Sequence, residues 1–167
     1  MAEPLPVFPD FSEARSDLAP VAWRVIGVGS PFGDDRLGWD VVRCLADRFG
    51  ARAELEFLVL DRPGPGLLEK LAGAARVVVV DAMRSGAAPY TLVEIDPGRA
   101  GALESFTSSH GVGLAETLAL GRALGQLPKG LRLFGIEMGA GEQPVPRQKL
   151  HAIAEQLAER LGLGGRR

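Results

Sequence analysis

Two adjacent carboxylates, Asp34 and Asp35, stand inside the glycine-rich stretch GVGSPFGDDRLG (27–38), between an apolar run and a helical pattern. Neighbouring carboxylates repel unless a proton or a cation lies between them. The pair therefore points to cation chemistry, where glycines alone would suggest a phosphate cradle. A dinucleotide fingerprint needs G-x-G-x-x-G and a helix N-terminus facing the pyrophosphate. Gly27 and Gly29 fit it, but Phe32 takes the third glycine position, Gly33 comes one residue late, and the loop has no lysine. Asp61, closing a later strand pattern, mimics the ribose-binding acid but is a single matching feature. A nucleotide-dependent enzyme is the weaker reading. The plain structural role for one aspartate is an N-cap of the following helix; that accounts for one acid, not for two.

Asp81 closes RVVVVDAM (76–83) behind four consecutive valines. Its carboxylate falls beside a low-dielectric interior, where an unpaired charge is costly. It must be exposed at the sheet edge, capped by backbone N–H groups, or bound to a cation. His110 lies in TSSHGVGLAETL, in a polar loop just before a helical pattern; the other histidine, His151, sits beside Lys149 on the last helix and reads as surface. Asp35, Asp81 and His110 together make an oxygen, oxygen, nitrogen set that suits a borderline divalent transition metal. The set lacks the thiolates of a closed structural zinc site and leaves coordination positions open. A nucleophile is hard to find. Cys44, the single cysteine, lies within a helical pattern and reads as a small buried hydrophobe. No G-x-S-x-G elbow occurs, and the serines at 108 and 109 are merely neighbours of His110 in sequence.

The elements that must position these residues follow from periodicity. VAWRVIGVG predicts a strand ending in glycines, and 37–49 a helix with Leu37, Val41, Leu45 and Phe49 one turn apart. AELEFLVLD (53–61) predicts a strand, RPGPG a turn, and GLLEKLAGA a short helix. The valine run 76–83 predicts a strand buried on both faces. Strands are further expected over 90–96 and 131–139. Helices are expected over 113–124, with Leu114, Leu118 and Ala119 inward, and over 145–161, with Leu150, Ile153, Leu157 and Leu161 inward. Alternating strands and helices imply an α/β fold: a mostly parallel central sheet with helices on both faces. Ligands in such sheets collect at the carboxyl edge. That edge should carry Gly27 to Asp35, Asp61 to Gly66, Asp81 and the Glu137 to Gly141 loop. Gly111, Gly113, Gly139 and Gly141 would give neighbouring loops freedom to reshape around a peptide.

The 167 residues allow one domain, expected over 21–163, with residues 1–20 a flexible, proline-rich and acidic N-terminal extension. The formal net charge of -2 offers no field for nucleic acid or an anionic membrane. No apolar run approaches the roughly 20 residues needed to span a bilayer. A single thiol fits a reducing compartment, so a cytoplasmic location is expected.

Taken together, GVGSPFGDDRLG, VVVVDAM and SSHGVGLAETL resemble three signatures of the endopeptidases that mature nickel–iron hydrogenases. The likeness runs in order from about Arg24 to Leu161, and LDRPGPGLL and LFGIEMGAGEQP resemble the corresponding loops. The resemblance implies a three-layer α/β/α sandwich and an enzyme that removes a short C-terminal peptide from a hydrogenase large-subunit precursor after nickel insertion. It implies catalytic, metal-contacting residues at Asp35, Asp81 and His110. The nickel would be supplied by the substrate, making the nickel-loaded precursor the partner. Hydrolysis through a metal-bound water and an aspartate acting as general base both remain open. So does a metal-dependent docking module for hydrogenase assembly that performs no proteolysis. Some residues depart from the pattern. Ser30 stands where Asn is usual, Arg36 replaces a glycine, and RPGPG replaces a glycine-glycine-threonine run, although Asp61 and Gly66 keep their places. Arg36 and Arg62 add positive charge beside the site.

Overall fold

The computed structural model describes residues 21–99, 102–103, 106, 113–140 and 143–164. The extension 1–20 and His110 lie outside the described residues. In chain order the elements are β1 (Trp23–Gly29), α1 (Leu37–Phe49), β2 (Leu55–Asp61), α2 (Leu67–Leu71), β3 (Arg76–Met83), β4 (Leu92–Ile95), α3 (Leu114–Ala123), β5 (Leu131–Glu137) and α4 (Arg147–Leu161). The sheet order is β2-β1-β3-β5-β4. The first four strands in that order run parallel, and β4 joins β5 antiparallel at the edge.

Period-two alternation splits the core into two layers. Val78, Val80 and Ala82 of β3 face Val41, Leu45, Ile153 and Leu157 of α1 and α4. Val77, Val79 and Met83 face Leu67, Leu71, Leu114 and Leu118 of α2 and α3. With apolar side chains on both faces, β3 reads as a continuous hydrophobic run, which is why the valines predict it so clearly. The result is an α/β/α sandwich with a mostly parallel central sheet. On α3 one expectation fails: Ala119 is exposed, and Thr117 and Gly121 complete the buried face with Leu114 and Leu118. Leu114, Leu118 and Gly121 fall at i, i+4 and i+7, whereas Ala119 lies one residue round the helix from Leu118.

The glycines of the first loop serve packing. A Cβ on Gly27 would strike the Gly38 carbonyl at the start of α1, and one on Gly29 would strike the Asp35 carbonyl. Only glycine lets the turn lie this close to the strand end, which explains the glycine pattern without a phosphate.

Candidate active site

The carboxyl edge of the parallel strands gathers most of the residues singled out above. Leaving β1, the chain passes buried Ser30 and enters a 3-10 turn, Gly33–Arg36, that leads directly into α1. Gly33 has φ +51°, a backbone conformation that suits glycine. The Asp35 backbone is fixed twice: its N–H donates to the Phe32 carbonyl at 3.1 Å, and its carbonyl accepts from the Ser30 N–H at 3.2 Å.

The two aspartates of this turn have separate tasks. Neither caps a helix, because the 3-10 turn and α1 both start without a side-chain cap. This corrects the N-cap reading. Asp34 is 4% exposed, and its Oδ2 accepts the N–H of Gly139 at 2.6 Å, reaching from the first loop to the last. Gly139 is itself buried, and a Cβ there would run into the Tyr90 hydroxyl oxygen and lie 3.2 Å from Asp34 Oδ2. The expectation that Gly139 frees its loop is therefore also corrected: it is the point at which the loop is gripped. Asp35 is half-buried.

Asp81 sits within β3, since the strand continues through Ala82 to Met83. It lies one residue beyond the last β1–β3 pair, Gly27 with Val80, and opposite Gly135 of β5. It alternates with Val79 and Met83 onto the face covered by α2 and α3. Its side chain is buried, with Oδ1 accepting the Ala82 N–H at 2.8 Å. Burial pushes its carboxyl well above the usual range, the Ala82 bond pulls against this, and the negative charge of Asp35 pushes it further up. Asp35 and Asp81 therefore come within electrostatic reach of each other. Asp35 also favours the Arg62 cation, after the larger contribution of Asp61.

Arg62 marks the neighbouring strand end. Its backbone has φ +40°, unusual for a residue with a side chain, and its N–H donates to the Gly29 carbonyl at 3.0 Å. Its guanidinium holds Asp61 through contacts of 2.6 and 3.3 Å. That bond holds the Asp61 carboxyl below its ordinary value. Asp61 is thus occupied by its neighbour in an exposed pair.

Among the described residues no three His, Cys, Asp or Glu side chains form a metal-binding cluster. The negative charge of Asp35 reaches Asp81, and His110 lies outside the described residues. The flanks of the segment that carries His110 are described. Phe106 is buried and bridges to Met83, and Leu114 packs on the same sheet face. Beside Asp34 opens a cleft of about 370 Å³, with Pro31, Gly33 and Arg36 on one wall and Gln143, Pro144 and Val145 on the other. Cys44 is half-buried between α1 and α4, and burial, joined by the charges of Asp47 and Asp40, raises its thiol. Sequence reasoning missed Tyr90. Its φ of +65° and its contact with Gly139 become visible only in three dimensions, since tyrosine is not a residue type that signals such a backbone.

The model of the hydrogenase maturation protease family matches residues 40–159. Solved structures agree. The hydrogenase maturating endopeptidase HybD from Escherichia coli is 26% identical with a TM-score of 0.67, over 86% of this chain and 94% of its own. An Escherichia coli endopeptidase solved in solution is 27% identical with a TM-score of 0.69, over the same shares, 86% and 94%. The HycI nickel–iron hydrogenase maturation protease from Thermococcus kodakarensis shares the fold, with a TM-score of 0.62 at 22% identity over 86% and 94% of the two chains. No curated protein matches the chain.

Proposed function

The chain belongs to the hydrogenase maturation protease family, which makes it an endopeptidase, and from that premise we propose that it removes the C-terminal peptide of a hydrogenase large-subunit precursor once nickel is in place. Asp35, Asp81 and His110 complete the coordination of a nickel ion that the precursor carries on its own cysteine thiolates. The observation that supports this most strongly is Asp81: a buried carboxylate that, among the described residues, accepts only the Ala82 N–H and lies within electrostatic reach of Asp35. Two acids so placed gain from a cation between them. Two carboxylate oxygens and an imidazole suit a borderline divalent metal, and three protein ligands leave room for thiolates from the substrate. Binding energy of this kind exists only after nickel insertion, so cleavage becomes conditional on the metal. The single thiol, Cys44, fits a reducing compartment, and we place the processing in the cytoplasm.

The test is to incubate the protein with nickel-loaded precursor and follow release of the C-terminal peptide by mass spectrometry. Loss of that peptide is expected for the native chain, and no loss for the His110→Ala variant. Continued processing by the variant would remove His110 from the ligand set. Stable association with no mass change would favour the docking reading over proteolysis.

A further inference from the structure

Asp34 is the acid beside the proposed metal contact whose carboxylate already has a partner in the fold. Its Oδ2 takes the Gly139 N–H at 2.6 Å, 105 residues away in sequence, in a setting that is almost fully buried. A carboxylate accepting a buried backbone N–H makes a short, charge-assisted bond. From the other side Gly139 is closed in by the Tyr90 ring. Tyr90 is in turn locked to β5: its N–H donates to the Glu137 carbonyl at 2.8 Å, and the Glu137 N–H donates to the Thr91 carbonyl at 3.0 Å. The last loop is thus held between the Asp34 carboxylate and the Tyr90 ring. The same bond anchors the 3-10 turn that carries both Asp34 and Asp35 and that lines one side of the adjacent cleft.

We propose that Asp34 is a positioning residue: its buried carboxylate clasps Gly139 and thereby holds in place the turn that carries Asp35. This rests on the reading of Asp35 as a contact to the substrate-borne metal. Asp34 does not touch the substrate; it acts through the loop it holds. Partners that orient a metal contact in this way typically contribute 10–100-fold to affinity or activity.

The experiment uses the full chain and nickel-loaded precursor, at a temperature where every variant is folded by circular dichroism. Asp34→Ala is expected to lower kcat/KM by about 10–100-fold, mainly through KM, because the grip on the substrate is what loosens. Asp34→Asn keeps a carbonyl acceptor for Gly139 and is expected to recover most of the loss. Asp34→Glu keeps the charge but shifts the acceptor by one methylene, and is expected to stay impaired. A merely structural role would lower the melting temperature and leave KM of the folded enzyme unchanged. Wild-type KM in Asp34→Ala overturns the proposal. An Asp34→Asn variant as impaired as Asp34→Ala also overturns it, since the charge itself would then be the agent. If Asp34→Ala does not fold, Asp34→Glu carries the test, and wild-type KM there is equally fatal. Amide exchange at Gly139 reads the clasp without substrate. About tenfold faster exchange is expected in Asp34→Ala, or in Asp34→Glu where the former does not fold, and unchanged exchange overturns the clasp even if the native chain cleaves nothing. A native chain that cleaves nothing counts against the protease reading, whereas a cleaving native chain with an unaffected variant counts only against Asp34.

Discussion

Asp81 and Glu137 lie two register positions apart on paired strands, Asp81 opposite Gly135 and Glu137 opposite Met83. Each is 5% exposed. Their chemistry nevertheless diverges. Burial pushes Glu137 up, but the Ser85 hydroxyl at 2.7 Å, the Ser85 N–H at 2.9 and 3.1 Å, the Gly86 N–H at 3.2 Å and the nearby Arg84 outweigh it, so its carboxyl falls below the usual value. Among the described residues Asp81 accepts from the Ala82 N–H; burial and, after it, the negative charge of Asp35 raise its carboxyl. Equally low exposure therefore does not mean equal role. Among the described residues Glu137 meets more donors than Asp81 does, and those donors favour its charged form.

Replacing Asp81 tests that contrast most severely. Asp81→Asn is expected to reduce kcat/KM for nickel-loaded precursor by about 100-fold or more, while its melting temperature rises above that of the native chain. The signs follow from the raised carboxyl. An acid whose native pKa lies above its unfolded value costs nothing at low pH, and its cost grows as pH rises from the ordinary carboxylate range toward the raised native value. The stability gap between Asp81→Asn and the native protein should widen over that window. A variant that is less stable at neutral pH would break the comparison.

Glu137→Gln is the counterpart. It puts an amide where four donor contacts expect an anion and is expected to lose about 1–3 kcal/mol in urea unfolding, with kcat/KM of the folded protein retained. A lowered carboxyl works in the opposite sense to Asp81. Its stabilisation is present above the unfolded carboxylate value and is lost as pH falls through the lower native value. Melting curves of the native chain and Glu137→Gln should accordingly converge in acid. The smallest effect is expected at Asp61, whose exposed pairing with Arg62 is the kind that contributes little. Asp61→Asn should leave the melting temperature unchanged, and a clear drop would show that strand-end acids are not ranked by burial and donors as argued.

Much of the architecture was legible because its signals are local. The valine run gave β3, and one apolar residue per turn gave α1 over the observed Leu37–Phe49. Strand ends were less so: β4 is shorter than the run 90–96, and its antiparallel pairing with β5 has no local signature, since an edge strand alternates in the same way in either direction. At the site, the doubled aspartate and the acid behind the valines were readable by charge and position. Their division of labour was not. The N-cap expectation for one of the pair failed because the partner of Asp34 lies 105 residues away, and a capping argument considers only the next turn of chain. Gly139 likewise resembles any loop glycine until Tyr90 and Asp34 are seen on either side of it.

Composition and periodicity by themselves determined the layers, the faces of the helices and the edge of the sheet where chemistry collects, because side-chain burial repeats every two or 3.6 residues along the chain. Tertiary structure alone decided how differently donors among the described residues meet the two buried acids. That distinction depends on how many N–H and O–H groups arrive from distant strands and loops, and no periodicity along the chain encodes that number.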